Sequence, residues 1–200
     1  MTPAELLGAA LRRDPARPLL TWYDDATGER VELSVATAAN WAAKTANFLL
    51  EEDIRAVRLK PADHWLAAVV ALGAWTAGAA VGDAGEALPG TPESFMAEVL
   101  PQPDALLGPP PDPQAVALSF EGRSWTLASL GDAAQHAAAH HDIDAGSRVL
   151  STLSLDTVDG LDAGLLIPLA VDGSVVLVAN ADRSRLDQRA ATERVSLRLS

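Results

Sequence analysis

Eight of the thirteen prolines stand between Pro89 and Pro113. Proline supplies no backbone donor and sits inside a helix or central strand only at a cost. Regular structure in this stretch must therefore be brief, and the one helix it admits is placed at Pro92 to Val99. The chain is divided into a first α/β subdomain at 1–88, a Pro-rich connection at 89–113 and a second α/β subdomain at 114–200.

The same order of elements is legible on either side of that break. In the first half, Pro3 and Glu5 open a short helix that ends before Asp14-Pro15, because proline at the first helical position and an early acid both suit a helix start. Pro18 to Tyr23 reads as a strand, Asp24 to Glu29 as a turn, and Arg30 to Leu33 as the returning strand. Ser34 can cap the helix Val35 to Glu51, in which Val35, Ala38, Ala42, Ala46 and Leu49 recur at helical spacing. A strand at Ile54 to Leu59, an apolar helix at Ala62 to Ala77 and a short strand at Ala79 to Asp83 follow.

The second half repeats this order. Strands are read at Ala115 to Phe120 and Ser124 to Leu127, a helix at Ala128 to His140 and a strand at Arg148 to Leu153. Then come a helix at Gly160 to Ala170, a strand at Ser174 to Ala179, a helix at Ser184 to Glu193 and a strand at Val195 to Leu199. Leu33 matches Leu127, Val57 matches Val149 and Gly78 matches Gly173 once small gaps are allowed. Strands alternating with helices specify mostly parallel sheets, so the expected fold class is α/β with two similar βαβ-type subdomains. The alternative is chance likeness of two alanine-rich amphipathic segments.

Composition narrows the functions available. Fifteen basic and 27 acidic side chains give a formal charge of −12, which repels a phosphate backbone and anionic lipid; nucleic acid and membrane are excluded as expected partners. The chain has no cysteine, so no disulfide framework or thiolate metal site exists. The longest apolar stretch, Leu66 to Gly82, is shorter than the roughly 20 residues that span a bilayer. Its first residues place an acid before the arginines, the reverse of a secretory signal, and the expected setting is cytoplasmic.

Three segments carry a resemblance. "RVELSVATAANWAAKTANFLL" resembles the entry hairpin and first helix of the adenylate-forming enzymes, the acyl-CoA synthetase and nonribosomal adenylation superfamily. "HWLAAVVALGAWTAGAAV" is similar to that family's next helix and small-residue strand, and "SRVLSTLSL" to the stretch after its phosphate loop. Short actinobacterial proteins of unknown function, similar only to the front part of such enzymes, are the nearer match.

The resemblance implies an acyl-CoA synthetase N-terminal-like fold and an ATP-dependent ligation whose chemistry rests on a Gly/Ser/Thr-rich loop and a lysine. Such donors and a cation meet the charge that develops on phosphate. At the corresponding position, 118–123, this chain reads Leu-Ser-Phe-Glu-Gly-Arg. Ser119 and Gly122 are the residues that carry over, Arg123 and Arg148 are the cations available to an anion, and Glu121 adds negative charge. The chain's two lysines, Lys44 and Lys60, lie well upstream. The family's acyl-site pattern of an aromatic then histidine corresponds to Asp156-Thr157, and its later nucleotide motifs and C-terminal lysine domain are expected beyond Ser200.

The remaining constellations have plain structural readings. Asp156, Asp159 and Asp162 suggest a cation cluster, yet acids gather at helix N-termini to cap amides. His136 and His140 have zinc-ligand spacing, with His141 and Asp142 beside them, but lack the glutamate of a metalloprotease motif and read as a solvated helix end. Trp22, Trp41, Trp65, Trp75 and Trp125 read as packing or interface residues, with Trp22 and Trp125 expected at matching hairpin positions. No G-x-S-x-G, G-x-G-x-x-G or P-loop motif is present.

The leading expectation is an acyl-CoA synthetase-like, AMP-binding-like protein without catalytic residues, metal or cofactor, acting as a binding or interaction module. It is expected to form a homodimer or to bind a protein partner. One alternative is a nucleotide- or acyl-binding protein using the cleft between subdomains, with Ser119, Gly122, Arg123, Asp156 and Thr157 as candidate contacts. The other is an adenylate-forming enzyme completed by a partner chain.

Overall fold

A computed structural model describes residues 1–140 and 142–199; His141 and Ser200 lie outside the described residues. The chain opens with α1 (Pro3–Arg13), whose N-cap Thr2 accepts from the Glu5 amide at 3.2 Å while the Glu5 carboxylate accepts from the Thr2 amide at 2.8 Å. This reciprocal box satisfies two otherwise orphaned donors. β1 (Pro18–Asp24) and β2 (Arg30–Ser34) form the first hairpin, followed by α2 (Val35–Glu51), β3 (Ala56–Lys60), α3 (Trp65–Ala77), β4 (Ala80–Gly82), β5 (Glu86–Pro89) and α4 (Pro92–Val99). β6 (Val116–Phe120) and β7 (Arg123–Thr126) form the second hairpin, followed by α5 (Leu127–His140) and β8 (Arg148–Ser151). A broken helix then comprises α6 (Val158–Leu161), a π-helical segment (Asp162–Leu166) and α7 (Ile167–Ala170), before β9 (Ser174–Ala179), α8 (Leu186–Thr192) and β10 (Leu197–Leu199).

Two five-stranded, mostly parallel sheets result, in the orders β10-β8-β9-β1-β2 and β5-β3-β4-β6-β7. The orders are the same once each strand of one repeat is replaced by its counterpart in the other, so the sequence repeat is a structural repeat. The sheets nevertheless do not follow the division at 89–113. The first hairpin adds through β1 to β9, and the second adds through β6 to β4. Each half thus donates its hairpin to the other half's sheet. Alternation of elements along a chain specifies parallel pairing, but it does not say which sheet a hairpin joins.

The helices between the sheets explain the arrangement. α3 is buried from Leu66 through Trp75, the pattern of a helix with no solvent face. It packs against β3, β4 and β5, while α2 packs against β1, β2 and α3. The two helices cross closely at Gly73, where an added Cβ would collide with the Cβ and methyl of Thr45. Trp75, fully buried, donates from Nε1 to the Ala117 carbonyl at 3.1 Å, fastening α3 to the exchanged second hairpin.

Three expectations are corrected. β5 lay unread at the edge of the Pro-rich stretch; it is four residues long and ends in Pro89, which suits an edge strand because no ladder donor is needed there. The helix read as continuous over 160–170 is interrupted by the π-helical turn. Trp22 and Trp125 are not equivalent: the registers Leu20↔Leu33 and Leu118↔Trp125 match Trp125 to Leu33 and leave Trp22 matched to Phe120. Both hairpins also shift register at the same point, between Pro18 and Leu20 and between Val116 and Leu118.

Candidate functional site

The second hairpin turns at Glu121 and Gly122, both with positive φ, 51° and 74°. Two adjacent left-handed residues make the type I′ turn that matches the twist of the flanking strands, and glycine suits it because it has no Cβ. The tip is closed to an anion. The Glu121 amide donates to Asp83 Oδ2 at 2.8 Å, and the Asp83 amide donates to the Ser119 carbonyl at 3.2 Å. Ser119 is level with Gly82 on β4 and with Ser124 on β7. The exposed Arg123 lays its guanidinium 5.0 Å from the centre of the Trp125 ring, a cation–π contact. Two carboxylates, Asp83 and Glu121, therefore flank the position where the resemblance implied a phosphate loop.

Asp156 and Thr157 sit elsewhere, in the loop that follows β8 in the other sheet. Thr157 is the N-cap of α6: its hydroxyl accepts from the Gly160 amide at 3.0 Å and donates to the Ser154 carbonyl at 2.9 Å. Ser154 Oγ donates to Asp156 Oδ1 at 2.6 Å. Among the described residues no hydrogen bond or ion pair joins these two residues to Ser119, Gly122 or Arg123. No group of three or more His, Cys, Asp or Glu side chains is placed to hold a metal among the described residues. Asp162, in the π-helical turn, has its carboxyl pushed up to about 6 by burial and, secondarily, by the charge of Asp159. His136 and His140 lie exposed on α5, and the expected contribution of His141 lies outside the described residues.

A small cleft does form at the carboxyl ends of β8 and β9, where ligands bind in open α/β sheets. It is lined by Ala62 and Asp63 from the loop after β3, by Thr152 to Leu155, and by Leu177 to Ala181, and encloses about 100 Å³. At about 30 Å³ per water this is room for roughly three waters, well under the ~300 Å³ of a site for a drug-sized ligand.

Around this edge lie side chains that no sequence motif announced. Asp25, 2% exposed, accepts from Arg189 Nη1 at 3.0 Å and Nη2 at 2.7 Å and from the Asp182 amide at 2.8 Å. The Arg189 hydrogen bonds hold its carboxyl below the usual range, against the opposing effect of burial. Arg189 also stacks 4.2 Å over the Tyr23 ring, and the Tyr23 hydroxyl donates to Glu193. Glu193 in turn accepts from Arg148 at 2.5 Å, so Arg148, one of the two arginines expected to be available to an anion, is committed within the fold. His64 caps α3, its Nδ1 accepting from the Leu66 amide at 3.2 Å, and its ring centre lies 5.2 Å from that of Trp22. Burial pulls its pKa below the ordinary 6.5, opposed by the carboxylates of Glu29, Asp63, Asp24 and Glu93. Every one of these partnerships joins distant parts of the chain or depends on a local turn, which is why spacing alone did not show them.

The comparisons bear on the family and the fold. The chain is 37% identical over 243 aligned positions, covering 98% of both proteins, to a TIGR03089 family protein of Mycobacterium tuberculosis (strain ATCC 25618 / H37Rv). No protein-family model matches it. Among solved structures it superposes on the N-terminal domain of FACL13 from M. tuberculosis with a TM-score of 0.81 at 13% identity, covering 99% of this chain and 62% of that one. A fatty acyl CoA synthetase of M. tuberculosis gives 0.80 at 13% identity, covering 98% and 48%. ATP-bound MatB from Rhodopseudomonas palustris gives 0.77 at 15%, covering 99% and 49%. At these identities the likeness shows the fold, that of an acyl-CoA synthetase N-terminal domain, and the chain spans about half to three-fifths of the solved proteins it matches.

Proposed function

This chain belongs to the TIGR03089 family, and on that premise we propose that it is an acyl-CoA synthetase-like scaffold that does not adenylate carboxylates and serves as a protein-interaction module. The observation that carries the reading is the type I′ turn at Glu121-Gly122, whose first amide is bonded to Asp83. Adenylyl transfer depends on positioned donors and positive charge around the phosphates. Here the Glu121 amide is occupied by Asp83, and Glu121 adds a second carboxylate at the turn.

The test is pyrophosphate release from ATP and Mg²⁺ with a panel of short, long and aromatic carboxylates, using the purified full chain. No release above the protein-free rate is expected. Carboxylate-dependent release that survives removal of trace contaminants overturns the reading.

A second reading is supported by the cleft at the ends of β8 and β9, whose polar lining of Asp63, Thr152, Ser154 and Asn180 suits a ligand of a few heavy atoms. A thermal-shift screen with ATP, AMP, CoA and small carboxylates separates the two. Stabilisation by the small carboxylates alone supports the second reading, and no response to any compound removes it.

A further inference from the structure

We propose that this chain forms a dimer by reciprocal exchange, in which the first half of each copy completes its sheets with the second half of the other, hinged at residues 108–111. The partner is a second copy of the chain, and the inference goes beyond the interaction-module reading without depending on it.

The exchange of hairpins makes each half a donor and an acceptor at once. With the halves apart, β9 lacks β1 and β4 lacks β6. β9 is buried at all six of its positions, and an unpaired apolar strand edge is a template for whichever copy of its partner arrives first. The polar contacts between the halves behave in the same way. Arg17 meets Asp172 at 2.8 Å, Asn180 donates to Asp24 at 2.9 Å and Arg189 donates to Asp25 at 2.7 Å. Each joins the first half to the second, so each re-forms unchanged when the second half belongs to another copy. Such exchange is a low-cost route to a dimer, because only the hinge differs between the closed and exchanged forms.

The connection between the halves is fastened on either side of a short free segment. Lys44 donates to the Leu100 carbonyl at 2.9 Å and to the Gln102 carbonyl, and pairs with Asp104 at 3.1 Å. Asn47 donates to the carbonyls of Pro103 at 3.1 Å and Ala105 at 2.9 Å, and its own carbonyl accepts from the Leu107 amide at 3.0 Å. The chain up to Leu107 is thus held by α2, in the first half. From Asp112 onward it is held by the second half. The Ala115 amide donates to the Asp112 carbonyl at 2.9 Å, and the carbonyls of Pro113 and Ala115 accept from the Ala128 and Leu127 amides at 2.9 and 3.0 Å. Between these two holds Gly108, Pro109, Pro110 and Pro111 make no hydrogen bond among the described residues. Opening the hinge therefore gives up only the packing of Gly108 beside Leu50 and of Pro111 over Gly78.

The hinge also sets the balance between the two forms. A short flexible linker holds its ends at an effective concentration in the millimolar range, which favours closure within one chain. This hinge is not flexible. Its three prolines fix φ, and Gly108, Pro109 and Pro110 each precede a proline, which favours extended backbone. The closed chain nevertheless bends at Gly108. A short hinge that resists folding back invites exchange. 

The test is refolding of the full chain from denaturant at about 1 μM and at about 1 mM, followed by sedimentation. Monomer is expected at the low concentration. At the high one a dimer is expected that persists on dilution, because its separation requires unfolding. The chain has no cysteine, so the paired change Asp24→Cys with Ala179→Cys, at positions level with each other on β1 and β9, reports which halves are in contact. Neighbouring strands bring such Cα atoms within disulfide reach. After oxidation the dimer should run as a covalent dimer on a denaturing gel, and the monomer as an internally linked single chain. Pro109→Gly with Pro110→Gly should lower the dimer fraction severalfold. Monomer alone at both concentrations, a dimer that separates on dilution, cross-links confined within single chains of the dimer, or a dimer fraction indifferent to the hinge change overturns the proposal. Pyrophosphate release would overturn the non-catalytic reading instead, so the two failures are distinguishable.

Discussion

Leu20 on β1 lies in parallel register with Val175 on β9, and the second hairpin answers this by placing Leu118 beside Val81 on β4. The hairpins are exchanged between the repeats. Neither half of the chain can complete its own sheet, and Trp75 of the first half is capped by the Ala117 carbonyl of the second. Fragments 1–100 and 101–200 are therefore expected to be unfolded or aggregated alone and to regain cooperative melting when mixed. Circular dichroism and thermal unfolding of each fragment and the mixture check this; two independently folding fragments would contradict it.

Gly73→Ala tests the crossing of α2 and α3. The added methyl falls on Thr45 in a closely packed interior, and overpacking of this kind costs about 1–3 kcal/mol. A loss of roughly 2–4 °C in melting temperature per kcal/mol is expected for a chain of this size. An unchanged melting temperature would show that the helices separate without cost.

Acid should weaken the cap of α3. His64 accepts a hydrogen bond through Nδ1 and its folded pKa lies below the ordinary 6.5. The unfolded state consequently binds the proton more readily, so the stability contributed by neutral His64 is present above about pH 6.5 and is lost as pH falls below it. Asparagine caps without titrating in this range. His64→Asn should flatten the fall in melting temperature between pH 6.5 and 5; parallel profiles for the two proteins would contradict the assignment.

Asp162 has the opposite sign. Its carboxyl is raised from 3.8 to about 6, so the folded state holds the proton more tightly and stability declines as pH rises through about 6. Asp162→Asn removes the ionisation and should melt higher than the parent at pH 8, with the difference shrinking as pH falls below 6 and closing only near 3.8. A variant less stable than the parent at both pH values would show that the carboxylate has a favourable partner.

How far the sequence disclosed this molecule depends on the range of each interaction. Ser34 as a cap, α2 and α4 to the residue, and the β-hairpin at 116–126 were legible because the signals are local: a capping hydroxyl, a helical apolar period, a Glu-Gly turn. β5 escaped because four residues ending in Pro89 look like the loop around them. Sheet membership escaped because Leu20 and Val175 carry no mark of each other. At the candidate site, Gly122 followed from turn chemistry; Asp156, Asp159 and Asp162 read as a helix start, but the cap is Thr157, which that reading does not name. The Asp25–Arg189 pair could be found only in space, as could the hold of Lys44 and Asn47 on the backbone of 100–107.

The central claim is that an acyl-CoA synthetase-like fold here lacks a phosphate-binding loop. Titration of the ¹⁵N-labelled full chain with ATP and Mg²⁺ tests it most directly, read at the amides of Glu121, Gly122 and Arg123. The account predicts no saturable change at these three positions, because the Glu121 amide is held by Asp83 and two carboxylates flank the turn. Saturable shifts confined to them, and abolished by Arg123→Ala, would contradict it.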